Sequence, residues 1–142
     1  MSCQNFYFND ARDGLNWRTR LVFRSFMKYK STRGQVADLG FSDALLMGLA
    51  SDGGLLVPET IPDVRSELEH WRDLNFVELA QELIPKFIDD IDSQTLRGLI
   101  SESYASFSHA DVVALQDLDG ISVLELFHGP TLAFKDVALQ LL

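Results

Sequence analysis

The chain has 142 residues, enough for one compact domain or for a small domain plus the opening of a second, and too few for a two-lobed enzyme. Hydrophobic residues make up 46% and charged residues 23%, a globular balance that excludes disordered, collagenous and disulfide-scaffold classes. A net charge of -9 argues against nucleic acid or an anionic membrane as partner, Cys3 is the only cysteine and rules out an internal disulfide, and no apolar run is long enough to span a bilayer, so a cytoplasmic protein is expected.

Residues 1–26 set Arg12, Arg18, Arg20 and Arg24 among Phe6, Tyr7, Phe8, Trp17, Phe23 and Phe26, without a helical or alternating period. Asp10 and Asp13, and the want of a continuous apolar stretch, weaken a targeting-peptide reading. A leader added by an upstream start codon is the plainer account, and it places the beginning of the folded protein at Met27.

Beyond Gly34, Ser42 is positioned to cap a short buried helix carrying Ala44, Leu45, Leu46, Met47, Leu49 and Ala50, stopped by Asp52-Gly53-Gly54. Leu55-Leu56-Val57 reads as an extended segment ended by Pro58, followed by a polar helix over Val64 to Leu74. Asn75 caps the next helix, in which Phe76, Leu79, Ala80 and Leu83 recur at helical spacing until Pro85. A further helix after Asp92 or Ser93 aligns Leu96, Leu99, Ile100, Tyr104 and Phe107 on one face. The pattern then shortens to two β-branched segments, Val112 to Leu115 and Ile121 to Phe127, with Asp119-Gly120 as the turn between them. Val137 to Leu142 continue as an apolar helix without a cap, which suggests a piece of a larger α/β protein.

Lys135 is the residue with chemistry to offer. The pattern places it about one turn into a helix after a strand and the Gly129-Pro130 turn, and strand-to-helix junctions of α/β sheets are where ligands bind. The positive end of a helix dipole would favour the neutral amine that a nucleophilic lysine requires. On spacing alone, a solvated surface lysine remains the commoner outcome.

The thirteen residues Leu124-Glu125-Leu126-Phe127-His128-Gly129-Pro130-Thr131-Leu132-Ala133-Phe134-Lys135-Asp136 resemble, essentially residue for residue, the cofactor-lysine segment of the threonine synthases. Tyr29 to Gly34, Phe41 to Ala44 and Gly48 to Pro58 resemble the small N-terminal domain of the same family, so the resemblance runs from Met27 to Leu142. It implies an α/β chain with residues 27–110 as a mostly helical N-terminal domain. Residues 111–142 would begin a truncated catalytic domain of the fold-type II pyridoxal-phosphate (PLP) class.

The same resemblance implies a small-molecule substrate and the conversion of O-phospho-L-homoserine and water to L-threonine and phosphate. Lys135 would bind PLP covalently and move protons, with Phe134 beside it near the cofactor ring or in the core. His128 is expected to hydrogen-bond its own turn, or else to edge the site, and Thr131 to cap the helix. Arg33, with its planar fork of donors, is either a ligand of the substrate phosphate or a surface arginine. A glycine-rich phosphate loop and a partner for the pyridine nitrogen, which the family places after the lysine, are not found in these residues, so the chain alone is not expected to assemble the site. Two other readings share these motifs: a threonine synthase-like phospholyase that releases a keto acid, and a non-catalytic interaction module.

Overall fold

The structure is a computed structural model that describes residues 26–142; the leader expectation for residues 1–25 falls outside the described residues. Five α-helices and two separate two-stranded antiparallel sheets make up the described chain. The first sheet pairs β1 (Tyr29–Ser31) with β2 (Leu56–Pro58), setting Tyr29 opposite Pro58 and Ser31 opposite Leu56. Strand β2 ends at Pro58, which cannot extend a ladder.

Between these strands, α1 (Phe41–Met47) differs from its sequence expectation at both ends. Ser42 is not its cap: Gly40 holds that position, and Asp90, far along the chain, accepts the Ser42 N–H at 2.8 Å. A side chain at Gly40 would meet the Asp90 carboxylate at 2.9 Å, so the missing Cβ permits this long-range cap. The helix stops at Gly48, whose φ of 69° suits glycine, before Asp52-Gly53-Gly54 is reached. It is also not a buried helix. Ala44 is its one buried residue, and Leu46 is 87% exposed.

The polar helix expected over Val64 to Leu74 contracts to a single turn, α2 (Leu68–Trp71). Upstream, Asp63 accepts the backbone N–H of Arg65 at 3.1 Å and its guanidinium at 2.6 Å, a local bond that competes with helix formation. Only Trp71 of this turn is buried, with the Lys86 ammonium 5.5 Å from its ring centre.

The next elements follow the sequence. Asn75 caps α3 (Phe76–Leu83) through a reciprocal capping box: its side chain accepts from the Glu78 N–H, and Glu78 accepts from the Asn75 N–H. Pro85 converts the end of this helix to a 3-10 turn, Ile84–Lys86. Asp92 caps α4 (Ser93–Tyr104) by accepting the Thr95 N–H at 2.9 Å. Leu96, Ile100 and Tyr104 fall at i, i+4 and i+8 and are all buried, whereas Leu99 at the margin of the stripe is 44% exposed.

These residues meet Ala80, Ile88 and Val112 in the hydrophobic core. Phe76 packs edge-on against Tyr104 with ring centres 4.9 Å apart. Val112 belongs to this core rather than to a strand: it has a φ of 61° and is 2% exposed. The hairpin therefore begins two residues later than the pattern predicts, with β3 (Ala114–Leu118) paired to β4 (Ile121–Glu125). Asp119 and Gly120 form its two-residue turn with φ of 42° and 90°, the left-handed pair that such hairpins require.

Candidate active site

The candidate site lies on the segment between β4 and α5 (Asp136–Leu139). Lys135 does not sit one turn inside a helix. It is the residue immediately before α5, and α5 is a single turn, too short to offer the macrodipole that the pattern suggested. Thr131 is likewise not a helix cap, because α5 begins five residues after it and its N-cap position is Lys135.

What Thr131 does instead is bind Asp136. Its N–H donates to Asp136 Oδ2 at 2.8 Å and its hydroxyl donates to Oδ1 at 2.8 Å. Gln140 Nε2 donates to Oδ1 at 3.2 Å. Asp136 is 2% exposed, and the Gly129 backbone presses against it so closely that a Cβ there would lie 2.8 Å from the Asp136 Cγ. Burial alone would raise the Asp136 carboxyl, but the hydrogen bonds from Thr131 and Gln140 outweigh it and hold the group below the ordinary aspartate range.

The segment is tied at both ends to the C-terminal end of α4. Ser108 donates its N–H and its hydroxyl to the His128 carbonyl at 2.8 Å and 3.1 Å. The Tyr104 hydroxyl donates to the Val137 carbonyl at 2.9 Å, and burial raises the phenol's pKa above its ordinary value. His128 Nε2 lies 2.8 Å from Glu125 Oε2, and its ring meets those of His109 and Phe127 at a 40° tilt, with centres 4.9 Å and 4.8 Å away. Leu132 adopts a φ of 60°, a left-handed conformation that a leucine resists and that the surrounding bonds impose.

With its flanks fixed in this way, the segment leaves Lys135 exposed and Phe134 66% exposed beside it. Among the described residues the Lys135 ammonium joins no ion pair, so its amine is accessible to an aldehyde. That arrangement fits a covalent carrier of PLP. Arg33 belongs to the other sheet region: its Nη1 donates to the Asp52 carbonyl at 2.9 Å, and its guanidinium packs where a Cβ on Gly53 would fall. Beside it, buried Ser31 donates to Asp52 Oδ1 at 2.7 Å, and Asp52 also accepts the N–H groups of Gln35 and Gly54. Arg33 thus has a role in holding this turn. Among the described residues no group of three or more His, Cys, Asp or Glu side chains could hold a metal, and no helix is long and apolar enough to cross a membrane.

The roles of Asp136, Gly129, Ser108 and Tyr104 in holding this segment escaped the sequence reading. The available signal for the first two was the Gly-Pro-Thr turn with a carboxylate five residues after the threonine, since Thr and Asp side chains habitually bond nearby backbone.

The described residues form a protein of mixed helices and two small sheets, with an accessible lysine on a stapled loop between a strand and a helix. The family model described as "Threonine synthase N terminus" matches residues 28–104. The chain belongs to the threonine synthase family. It is 50% identical over 119 residues to a threonine synthase of Pseudomonas aeruginosa, covering 82% of this chain and 25% of that protein. It is 44% identical over 118 residues to a threonine synthase-like 2 of Rattus norvegicus, covering 80% of this chain and 24% of the relative. Among solved structures, the PLP-bound threonine synthase of Brucella melitensis matches with a TM-score of 0.76 at 45% identity, over 81% of this chain and 25% of that one. The chain thus spans about a quarter of the length of the curated relatives it matches.

Proposed function

We propose that this chain is the amino-terminal part of a PLP-dependent threonine synthase, with Lys135 as the residue that binds the cofactor. The observation that carries this reading is the placement of Lys135: an exposed amine on a loop whose backbone is fixed by Asp136, Ser108 and Tyr104, within a chain 45% identical to a PLP-bound threonine synthase. The reaction is the conversion of O-phospho-L-homoserine and water to L-threonine and phosphate. Bound to the lysine, PLP supplies the electron sink for charge developing on the substrate's carbon atoms. Lys135 would hold the cofactor covalently and would supply the amine that moves protons at the site. Phe134, exposed next to it, offers an aromatic face to the cofactor ring.

Residues 27–110 are assigned to the N-terminal domain and 111–142 to the opening of a fold-type II catalytic domain. The active protein comprises further residues that cradle the cofactor phosphate and face its pyridine nitrogen, and it acts in the cytoplasm. A second reading is a phospholyase acting on the same substrate and releasing a keto acid; the chain is 44% identical to a protein named threonine synthase-like 2 as well as 50% identical to a threonine synthase. Product analysis of the complete protein with O-phospho-L-homoserine separates the two: L-threonine supports the synthase, and a keto acid the phospholyase. Replacing Lys135 by alanine in the complete protein should abolish turnover while leaving the fold intact, since the lysine side chain is exposed and makes no capping bond to α5. A folded variant that kept more than about a hundredth of its turnover would overturn the assignment, because an acid-base group alone is worth roughly 10²- to 10⁴-fold.

A further inference from the structure

Asp136 adjoins Lys135 in sequence and faces the opposite way: the lysine is exposed and the aspartate is 2% exposed. Both carboxylate oxygens are engaged, Oδ2 by the Thr131 N–H and Oδ1 by the Thr131 hydroxyl and the Gln140 amide. Hydrogen bonds to an ionised acceptor are shorter and stronger than neutral ones, and two of these measure 2.8 Å. The bonds close a ring from Thr131 to Asp136, and Lys135 is a member of that ring. Inside it Leu132 is held at a φ of 60°, and Gly129 gives up any side chain so that the backbone can lie against the carboxylate. The backbone that carries Lys135 is therefore anchored through its buried neighbour.

We propose that Asp136 and Thr131 form a staple that positions Lys135 for cofactor capture, with Asp136 as a positioning residue rather than a catalytic one. The proposal rests on the reading of Lys135 as the PLP carrier. A covalent carrier must present its Nζ to the cofactor aldehyde at one distance and angle, and a displacement of about 1 Å can cost about 100-fold in rate. A lysine side chain has four rotatable bonds, so its Cα must be fixed if the amine is to be delivered reproducibly. Asparagine at 136 would keep one acceptor oxygen for the Thr131 N–H but would set an N–H₂ against the Thr131 hydroxyl and the Gln140 amide, and it would remove the charge that strengthens all three bonds. Valine at 131 would remove the hydroxyl while keeping the backbone N–H bond, and serine would keep both.

The test uses the complete protein, stripped of PLP, in four forms: wild type, Asp136→Asn, Thr131→Val and Thr131→Ser. Each is mixed with PLP, quenched at intervals with borohydride, and mapped by peptide mass spectrometry for phosphopyridoxyl-Lys135. Melting curves and the visible circular dichroism of bound cofactor are recorded alongside. Asp136→Asn and Thr131→Val should slow capture at Lys135 by about 10- to 100-fold and change the visible dichroism, while Thr131→Ser stays within about twofold of wild type. Wild-type capture rates and dichroism in the folded variants, even with lowered melting temperatures, would reduce the staple to a purely structural element and overturn the proposal. If Asp136→Asn does not fold, the Val and Ser pair at position 131 decides by the same criteria. Modification of wild type at a lysine other than 135 would overturn the carrier assignment and the staple with it, whereas modification at Lys135 with indifferent variants would overturn the staple alone.

Discussion

A methyl group added at Gly129 probes the loop without replacing any of its polar side chains. The Cβ of Gly129→Ala would lie 2.5 Å from Asp136 Oδ2 and 2.8 Å from its Cγ, closer than side chains pack, and still closer to the Asp136 Cβ. Asp136 is 2% exposed and bonded to Thr131 and Gln140, so it has no free direction in which to retreat. Relief must come from backbone movement that opens the Thr131 bonds. Overpacking of a filled site costs about 1–3 kcal/mol. Since 1.4 kcal/mol is a factor of ten, the amide of Thr131, now bonded at 2.8 Å, should exchange with solvent roughly 5- to 140-fold faster. Hydrogen exchange with residue-level readout measures this directly, with the amides of α3 as an internal control expected to stay unchanged. Unaltered Thr131 exchange in the alanine variant would show that the loop is not packed against Asp136 as described, and the reasoning about the staple would fail with it.

Gly98, inside α4, is the opposite case, because a Cβ there meets nothing within 4 Å. Gly98→Ala should stabilise α4 by about 0.5–1 kcal/mol, read as slower exchange of the Ile100 amide; faster exchange would mean that the position is not open helix surface. Acid should loosen the first sheet region. The Asp52 carboxyl is held below its ordinary 3.8, first by the Ser31 hydroxyl and then, against some burial, by the Gly54 and Gln35 amides and the Arg33 charge. A depressed pKa means stabilisation that is present above pH 3.8 and is lost as pH falls through the folded-state value. Exchange of the Gln35 and Gly54 amides, corrected for its intrinsic pH dependence, should therefore lose protection below that pH in wild type. Asp52→Asn should show a flatter profile, and equal slopes in the two would refute the linkage.

The features legible in the sequence were those encoded by a few neighbouring residues. Asn75 with Glu78, Asp92 with Thr95, Pro85 and Asp119-Gly120 each determine a cap, a stop or a turn within four residues, and each stands where the pattern puts it. The stripe from Leu96 to Tyr104 was readable because a helix long enough for three turns averages out single exceptions such as Leu99. What was illegible depended on distant partners. The cap of α1 comes from Asp90, 48 residues beyond Ser42, and no local pattern announces it. Val112 looked like the start of a strand because it is β-branched, but core packing holds it at a φ of 61°. At the candidate site, Lys135 stood out through its family motif. The inversion of roles between Thr131 and Asp136, with the aspartate accepting and the threonine donating, required coordinates.

The most direct test of the functional reading is the site of cofactor attachment in the complete protein. Borohydride reduction in the presence of PLP, followed by peptide mapping, should place a phosphopyridoxyl group on Lys135, and the Lys135→Ala variant should acquire none. A reduced protein without modification at Lys135, or one modified equally in the alanine variant, would contradict the assignment of this lysine as the carrier.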